Sequence, residues 1–187
     1  MAAQALVDSA VSFCEDSQVI RYRLDTQETY AGGAEIDVFA PQDQAVSRVL
    51  KVWINGYEIK ASPAVSVSDL SQPNGLPRMY YSRQNDSQLQ ILLYPVPDRA
   101  FSIDVEVALR PTRSATTLEN DLFDLWIEPI VAGALQRLYA VPDQPFSNAA
   151  ASQAQMAAAI YQTRRARVGG AYGRVSGTVR VQGRPFA

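Results

Sequence analysis

The chain has 187 residues, 47% of them hydrophobic and 19% charged, with 17 Lys+Arg against 19 Asp+Glu for a net charge of −2; that is one ordinary domain, or a core with one insertion, long enough to bury a real interior. No histidine is present, which excludes Ser-His and Cys-His catalytic pairs and imidazole metal sites, and a single cysteine, Cys14, excludes an intrachain disulfide and a cysteine cluster for zinc or iron–sulfur. No run of about 18 apolar residues offers a membrane span, and the start, Met1 to Asp8, lacks the basic region of a signal peptide, so folding in a reducing cytoplasm is expected.

In chain order, residues 3–16 predict a short helix, with Leu6, Ala10, Phe13 and Cys14 on one side and Asp8, Glu15 and Asp16 largely off it. Cys14 is expected to be a small buried helix residue, since no neighbouring cation would activate its thiol. Residues 18–111 change character: short alternating runs separated by Gly, Pro, Asn and Asp clusters predict a compact antiparallel β domain of six short strands. Lys51–Ile54 and Tyr57–Lys60 flank Asn55-Gly56, the pair favoured where a type I′ turn needs positive φ at both central residues. Leu89, Ile91 and Leu93 alternate, as do Phe101, Ile103, Val105, Val107 and Leu109, with Pro95-Val-Pro-Asp98 turning the chain between them. Weaker strand signals fall at 34–39 and 78–83. Sandwich and barrel are equally compatible with this pattern.

The helical period returns at Thr116. Thr117, followed by Glu119 and Asp121, has the chemistry of a helix start, and Leu118, Leu122, Leu125, Trp126, Ile130, Ala134, Leu135 and Leu138 make an apolar face to about Ala140. Pro129 lies inside that run, where it removes a backbone hydrogen bond and crowds the preceding turn, so a kink is expected near Leu125–Pro129. Gly133 and Ala134 permit close approach of a neighbouring helix. After a two-proline link at 141–147, Ser147 or Asn148 is expected to cap an alanine-rich helix over 148–168, with Ile160 and Tyr161 as its modest apolar face and Gly169-Gly170 as its stop. Residues 171–187 contain three glycines and no helical period; Val179 and Val181 alternate with Arg180 and Gln182, as in an extended arm that cannot bury itself, with a solvated tail as the other reading.

Net charge hides an asymmetry. Residues 1–128 carry a net charge of −8 and residues 129–187 a net charge of +6, with no acid after Asp143. The basic residues are 15 Arg and only 2 Lys, and Arg forks suit fixed contacts with carboxylates or phosphates. Paired carboxylates such as Asp104 with Glu106 and Asp121 with Asp124 are explained by exposed strand and helix faces. Gly32-Gly33 lacks the following helix and lysine of a phosphate loop. No metal set and no catalytic set is found, and no cofactor is expected.

Several phrases, in order, resemble the head-to-tail adaptor (head-completion or collar) proteins of tailed bacteriophages, especially the short-tailed type. They are the strand–Asn-Gly–strand around Trp53 to Ile59, Gly75-Leu-Pro-Arg-Met-Tyr-Tyr81, Leu89-Gln-Ile-Leu-Leu-Tyr-Pro-Val-Pro-Asp98, the strand ending at Arg110-Pro111, Leu118 to Trp126, Ile130-Val-Ala-Gly-Ala-Leu-Gln-Arg-Leu138 and the terminal Arg184-Pro-Phe186. Pro129 and Phe146 stand where that pattern has a helix former and a tryptophan. The resemblance implies an α+β fold: a helical bundle (1–17 and 112–170) with an inserted antiparallel β domain (18–111) and an extended C-terminal arm (171–187). It also implies a structural, non-enzymatic virion protein at the head–tail junction, synthesised in the host bacterial cytoplasm. Such a protein forms a homo-oligomer, a dodecameric ring, between the portal protein and a tail tube or nozzle protein. DNA passes through the ring without sequence-specific binding, and no membrane is involved.

On this reading Arg174, Val179, Arg180, Val181, Arg184 and Phe186 form the portal-docking arm, and Tyr161, Arg164, Arg165 and Arg167 a subunit interface. A different class of function, a carbohydrate- or ligand-binding β module on a helical base, would use Trp53, Tyr80 and Tyr81 as a platform. Nucleic-acid binding through the Arg-rich end is a third class, opposed by the overall acidity.

Overall fold

The structure, a computed structural model, describes residues 1–62, 74–85, 88–116 and 120–172. Helix α1 (Ala2–Ser17) is followed by strands β1 (Arg21–Arg23), β2 (Gln27–Glu28), β3 (Glu35–Val38), β4 (Gln44–Ile54), β5 (Tyr57–Ala61), β6 (Met79–Asn85), β7 (Gln88–Tyr94) and β8 (Ser102–Pro111), then helices α2 (Asn120–Tyr139) and α3 (Ala149–Tyr172). The α+β class holds.

The strands form one sheet in the order β1-β8-β4-β5-β6-β7-β3, with β2 also on β8. It curls so that both halves face a common interior: Val52, Ile54, Val105 and Val107 from one half pack with Ile36, Tyr80, Ile91 and Leu93 from the other. At the Asn55-Gly56 turn the two residues have φ of 49° and 81°, and Ile54 pairs with Tyr57, as the sequence required. The sheet is mixed, not wholly antiparallel: β5 and β6 run parallel, with Lys60 opposite Met79 and Ala61 opposite Tyr80. Residues 62 to 78 separate these two strands, a connection long enough to return the chain to the same end of the sheet.

Eight strands are present among the described residues, two more than expected, and β4 is far longer than 51–54. The reason is register. Pairing with β8 slips between Val46 and Arg48 and again between Val49 and Lys51. Each bulge adds a residue, increases local twist, and resets which face a side chain occupies. The buried positions Val49, Val52 and Ile54 therefore do not follow a period of two, and the strand signal disappears from the sequence.

The helices form a second layer with its own core of Ala10, Phe13, Cys14, Leu122, Ile130 and Ala166. On α1 the covered face is Ala5, Ser9, Ala10, Phe13, Cys14 and Ser17, whereas Leu6 is exposed, contrary to expectation. Two serines lie at covered positions because one of them bonds across to α2 and both are small enough for close contact.

In α2 the backbone leaves helical geometry at Trp126 (φ −132°, ψ 20°), three residues before Pro129. A proline ring collides with the carbonyl four residues earlier, here Leu125, so the break falls where expected. Asn148 caps α3, its side-chain oxygen accepting from the Ala151 N–H at 3.0 Å. Helix α3 does not stop at Gly169-Gly170; it continues to Tyr172. Two glycines weaken a helix by about 1 kcal/mol each without terminating it. Ala166 is fully buried and Gly170 lies against Gln18 and Val19, so packing carries the helix past them. The expected helix start at Thr117–Glu119 lies outside the described residues.

Candidate docking surface

Gly133 sits where α1 crosses α2, and a Cβ there would collide with the Ser9 hydroxyl. That hydroxyl donates to the Ile130 carbonyl at 2.7 Å, so the two backbones are close and hydrogen-bonded. On α3 the face turned inward is narrow and small: Ser152 and Ala166 are buried, with Gln155, Ala159, Gln162 and Thr163 half-buried. Ile160 and Tyr161, expected to be its apolar face, are instead 41% and 69% exposed. Small residues in the seam bring α3 onto α2 while larger ones beside it remain uncovered.

The result is a groove of about 360 Å³ between the three helices. Phe13 of α1, Pro129 of α2 and Met156 and Ile160 of α3 give it apolar surface, and Arg137, Arg164 and Arg167 outweigh Asp16 to leave it positively charged. Arg137 donates to Ser12 Oγ at 2.9 Å, while Arg164 and Arg167 form no ion pair with any described residue. A second hollow of about 230 Å³ shares Ser12 and Arg137 and adds Arg110, Arg113, Asp8 and Glu15. There Arg110 is neutralised by Glu15 at 3.0 Å. Two adjoining concavities along α1 therefore bear mainly arginine.

Of the interface residues read from sequence, Arg164 and Arg167 line the groove, whereas Tyr161 and Arg165 are exposed elsewhere on α3. Arg174, Val179, Arg180, Val181, Arg184 and Phe186 lie outside the described residues. Sequence reading missed Met156 and Arg137 and took Ile160 only as part of the helix's apolar face. The signal that would have found them is the run Met156, Ile160, Thr163, Arg167, which repeats at helical spacing beside the small-residue seam.

The aromatic platform is not assembled. Tyr80 is 4% exposed, inside the sheet core; burial first, and then the Glu58 carboxylate, push its phenol above the ordinary tyrosine pKa. Tyr81, its neighbour in β6, faces the other way. Trp53 is covered by cations of its own chain, with the Arg23 guanidinium 5.1 Å and the Lys51 ammonium 5.9 Å from its ring centre. Those cations are in turn paired, Arg23 with Asp104 at 3.1 Å and Lys51 with Glu58 at 3.8 Å. The outer sheet face is a self-satisfied lattice, not an open stacking surface.

Among the described residues no three His, Cys, Asp or Glu side chains gather as a metal set, and no helix is long and apolar enough to cross a membrane. What remains is a concave, arginine-bearing helical surface beside a curled sheet. A family model described as SU10 adaptor protein matches residues 2–182, from the start of α1 past the end of α3. The chain belongs to that family. The SU10 adaptor family is one of structural phage proteins, not enzymes. Membership implies contact with portal and tail proteins at the head–tail junction of the virion. No curated protein sequence matches the chain. For an adaptor, the groove and the exposed face of α3 are the natural surfaces to consider for protein contacts.

Proposed function

We propose that this adaptor assembles as a ring, dodecameric in keeping with the resemblance, that joins the portal vertex of the capsid to the tail and continues the DNA channel. The helices of 1–17 and 112–170 form the ring body, and the β domain of 18–111 projects toward tail components. The arm of 171–187 grips the portal through Arg174, Val179, Arg180, Val181, Arg184 and Phe186. Residues Tyr161, Arg164, Arg165 and Arg167 contribute to contacts between subunits.

The observation that carries this reading is a family match spanning residues 2–182 of the 187. Composition supports the arm: residues 171–187 hold three arginines, three glycines and no acid, which suits a segment that docks onto a partner.

The test is reconstitution with the portal of the same phage, imaged by electron microscopy. The full chain is expected to add a ring below the portal, and a chain lacking 171–187 to dock about tenfold more weakly or not at all. Equal docking of the shortened chain would overturn the arm assignment. Absence of any ring with the full chain would overturn the adaptor-ring reading.

A further inference from the structure

The groove between α1, α2 and α3 has apolar surface and unpaired positive charge, so what fills it must offer apolar side chains and carboxylates together. One described surface has that composition. At the start of α2, Phe123 is 60% and Leu125 46% exposed, and Asp124 and Glu128 are exposed beside them with no ion-pair partner among the described residues. Phe123, uncovered beside Asp124 and with Glu128 four positions after that aspartate, matches Met156 and Ile160 flanked by Arg164 and Arg167, whereas Leu125, two positions from Phe123, leaves the helix on the other side.

The chain cannot bring its own α2 start into its own groove. Glu128 accepts from Gln162 of the same chain at 3.4 Å, and Gln162 is two residues from Ile160, so it lies on roughly the opposite flank of α3. Glu128 is therefore held on the Gln162 flank of α3 and not on the Ile160 flank, which lines the groove. The segment 173–187 is an unsuitable occupant as well, because it adds Arg174, Arg180 and Arg184 and no acid to a groove already cationic.

We infer that the groove of one subunit receives the Phe123–Glu128 turn of a second copy, with Phe123 against Met156 and Ile160, and Asp124 and Glu128 against Arg164 and Arg167. Because the two surfaces are different and lie on opposite flanks, the contact is heterologous and repeats head to tail, the arrangement that closes a ring. The inference rests on the self-assembly part of the proposed function and adds which surfaces meet.

Site-directed cross-linking tests it on the full chain. Cys14 is buried, so added cysteines react selectively. A mixture of Phe123→Cys chains with Ile160→Cys chains, treated with a short bis-maleimide, is expected to give cross-linked dimers. Neither variant alone should give them, and a chain carrying both substitutions should give a ladder of higher species. Arg164→Glu with Arg167→Glu, or Asp124→Arg with Glu128→Arg, should each weaken self-association about tenfold, and mixing the two reversed chains should restore their mutual contact.

Cross-linking of Ile160→Cys with itself would mean a face-to-face dimer and overturn the pairing. Faster labelling of monomeric Ile160→Cys after deletion of 173–187 would mean that segment fills the groove, and would also overturn it. Sedimentation of unmodified chain, alone and on the portal, separates the two levels of failure. Oligomers without the 123–160 cross-link overturn the groove assignment and leave the ring standing. No self-association up to about 1 mM and none on the portal overturns both.

Discussion

Ser9 occupies a position where the helical pattern of α1 calls for an apolar residue, and its hydroxyl explains why it is there. It bonds the Ile130 carbonyl at 2.7 Å in a buried setting, on a turn of α2 just after a proline has removed one backbone donor. Gly133 faces the same hydroxyl with no room for a methyl group. Gly133→Ala gains up to about 1 kcal/mol of helix propensity but must displace Ser9 from its bond, and we expect a net loss of about 1–2 kcal/mol. Ser9→Ala alone is expected to cost about 1 kcal/mol through the lost hydrogen bond.

With Ser9 already shortened, the same Gly133→Ala change meets only the Ser9 Cβ position at 3.4 Å and should cost much less. A double-mutant cycle read by chemical denaturation should therefore show coupling of about 1 kcal/mol; strict additivity would refute the contact. Gly133 was legible in the sequence as a close-approach site. Ser9 was not, because a serine on a helix reads as solvent-facing until its partner, 121 positions away, is known.

At the scale of elements, the strands that the sequence concealed are those whose side chains do not alternate between core and solvent. All three residues of β1 are exposed; it is held by backbone pairing to β8, Arg21 opposite Ala108 and Arg23 opposite Glu106, and by side chains on the outer face. β8, by contrast, was read almost to its ends because Ile103, Val105 and Val107 are buried in strict alternation. Helix α3 was found from its alanines, yet its covered seam could not be, since Ser152, Ala159 and Thr163 have no hydrophobic signal to report.

The β1–β2 edge makes a pH-dependent prediction. Thr26 Oγ1 donates to Asp104 at 2.6 Å, and this bond, with further help from the Arg23 guanidinium against a partial desolvation effect, holds the Asp104 carboxyl below the usual aspartate pKa. A carboxylate whose pKa is depressed by folding contributes stability above the unfolded value, and that contribution is lost as pH falls through the folded value. Protonation of Asp104 should then loosen residues 21–28 from β8. In Thr26→Val the carboxyl resonance of Asp104 should titrate at higher pH, closer to an ordinary aspartate, and amide exchange of Arg23 and Leu24 should quicken earlier in an acid series. Unchanged titration in that variant would refute the assigned cause.

Across the whole molecule two cores of different character meet over a small contact. The sheet core is built of β-branched and aromatic side chains, the helical core of alanines with Phe13, Leu122 and Ile130. Ile20, in the link after α1, packs against both. Its carbonyl accepts from the Leu109 N–H at 2.9 Å, and Glu15 bonds Arg110 next to it. These contacts fix α1 to β8 through main chain, charge and apolar surface at once, so neither layer can open without exposing part of the other.

The expected behaviour is a single unfolding transition in which helical circular dichroism and, in a Trp126→Phe background, Trp53 fluorescence, reporting on the two layers, fall together. Ile20→Ala should lower the stability of the whole chain by about 2 kcal/mol, less than a fully enclosed isoleucine would, because Ile20 is only half-buried. Hydrogen exchange of α1 and of β8 should accelerate by the same factor in that variant, since they share the contact that is lost. If the helical signal falls first while β8 amides keep their protection, the two layers are independent units and Ile20 couples nothing.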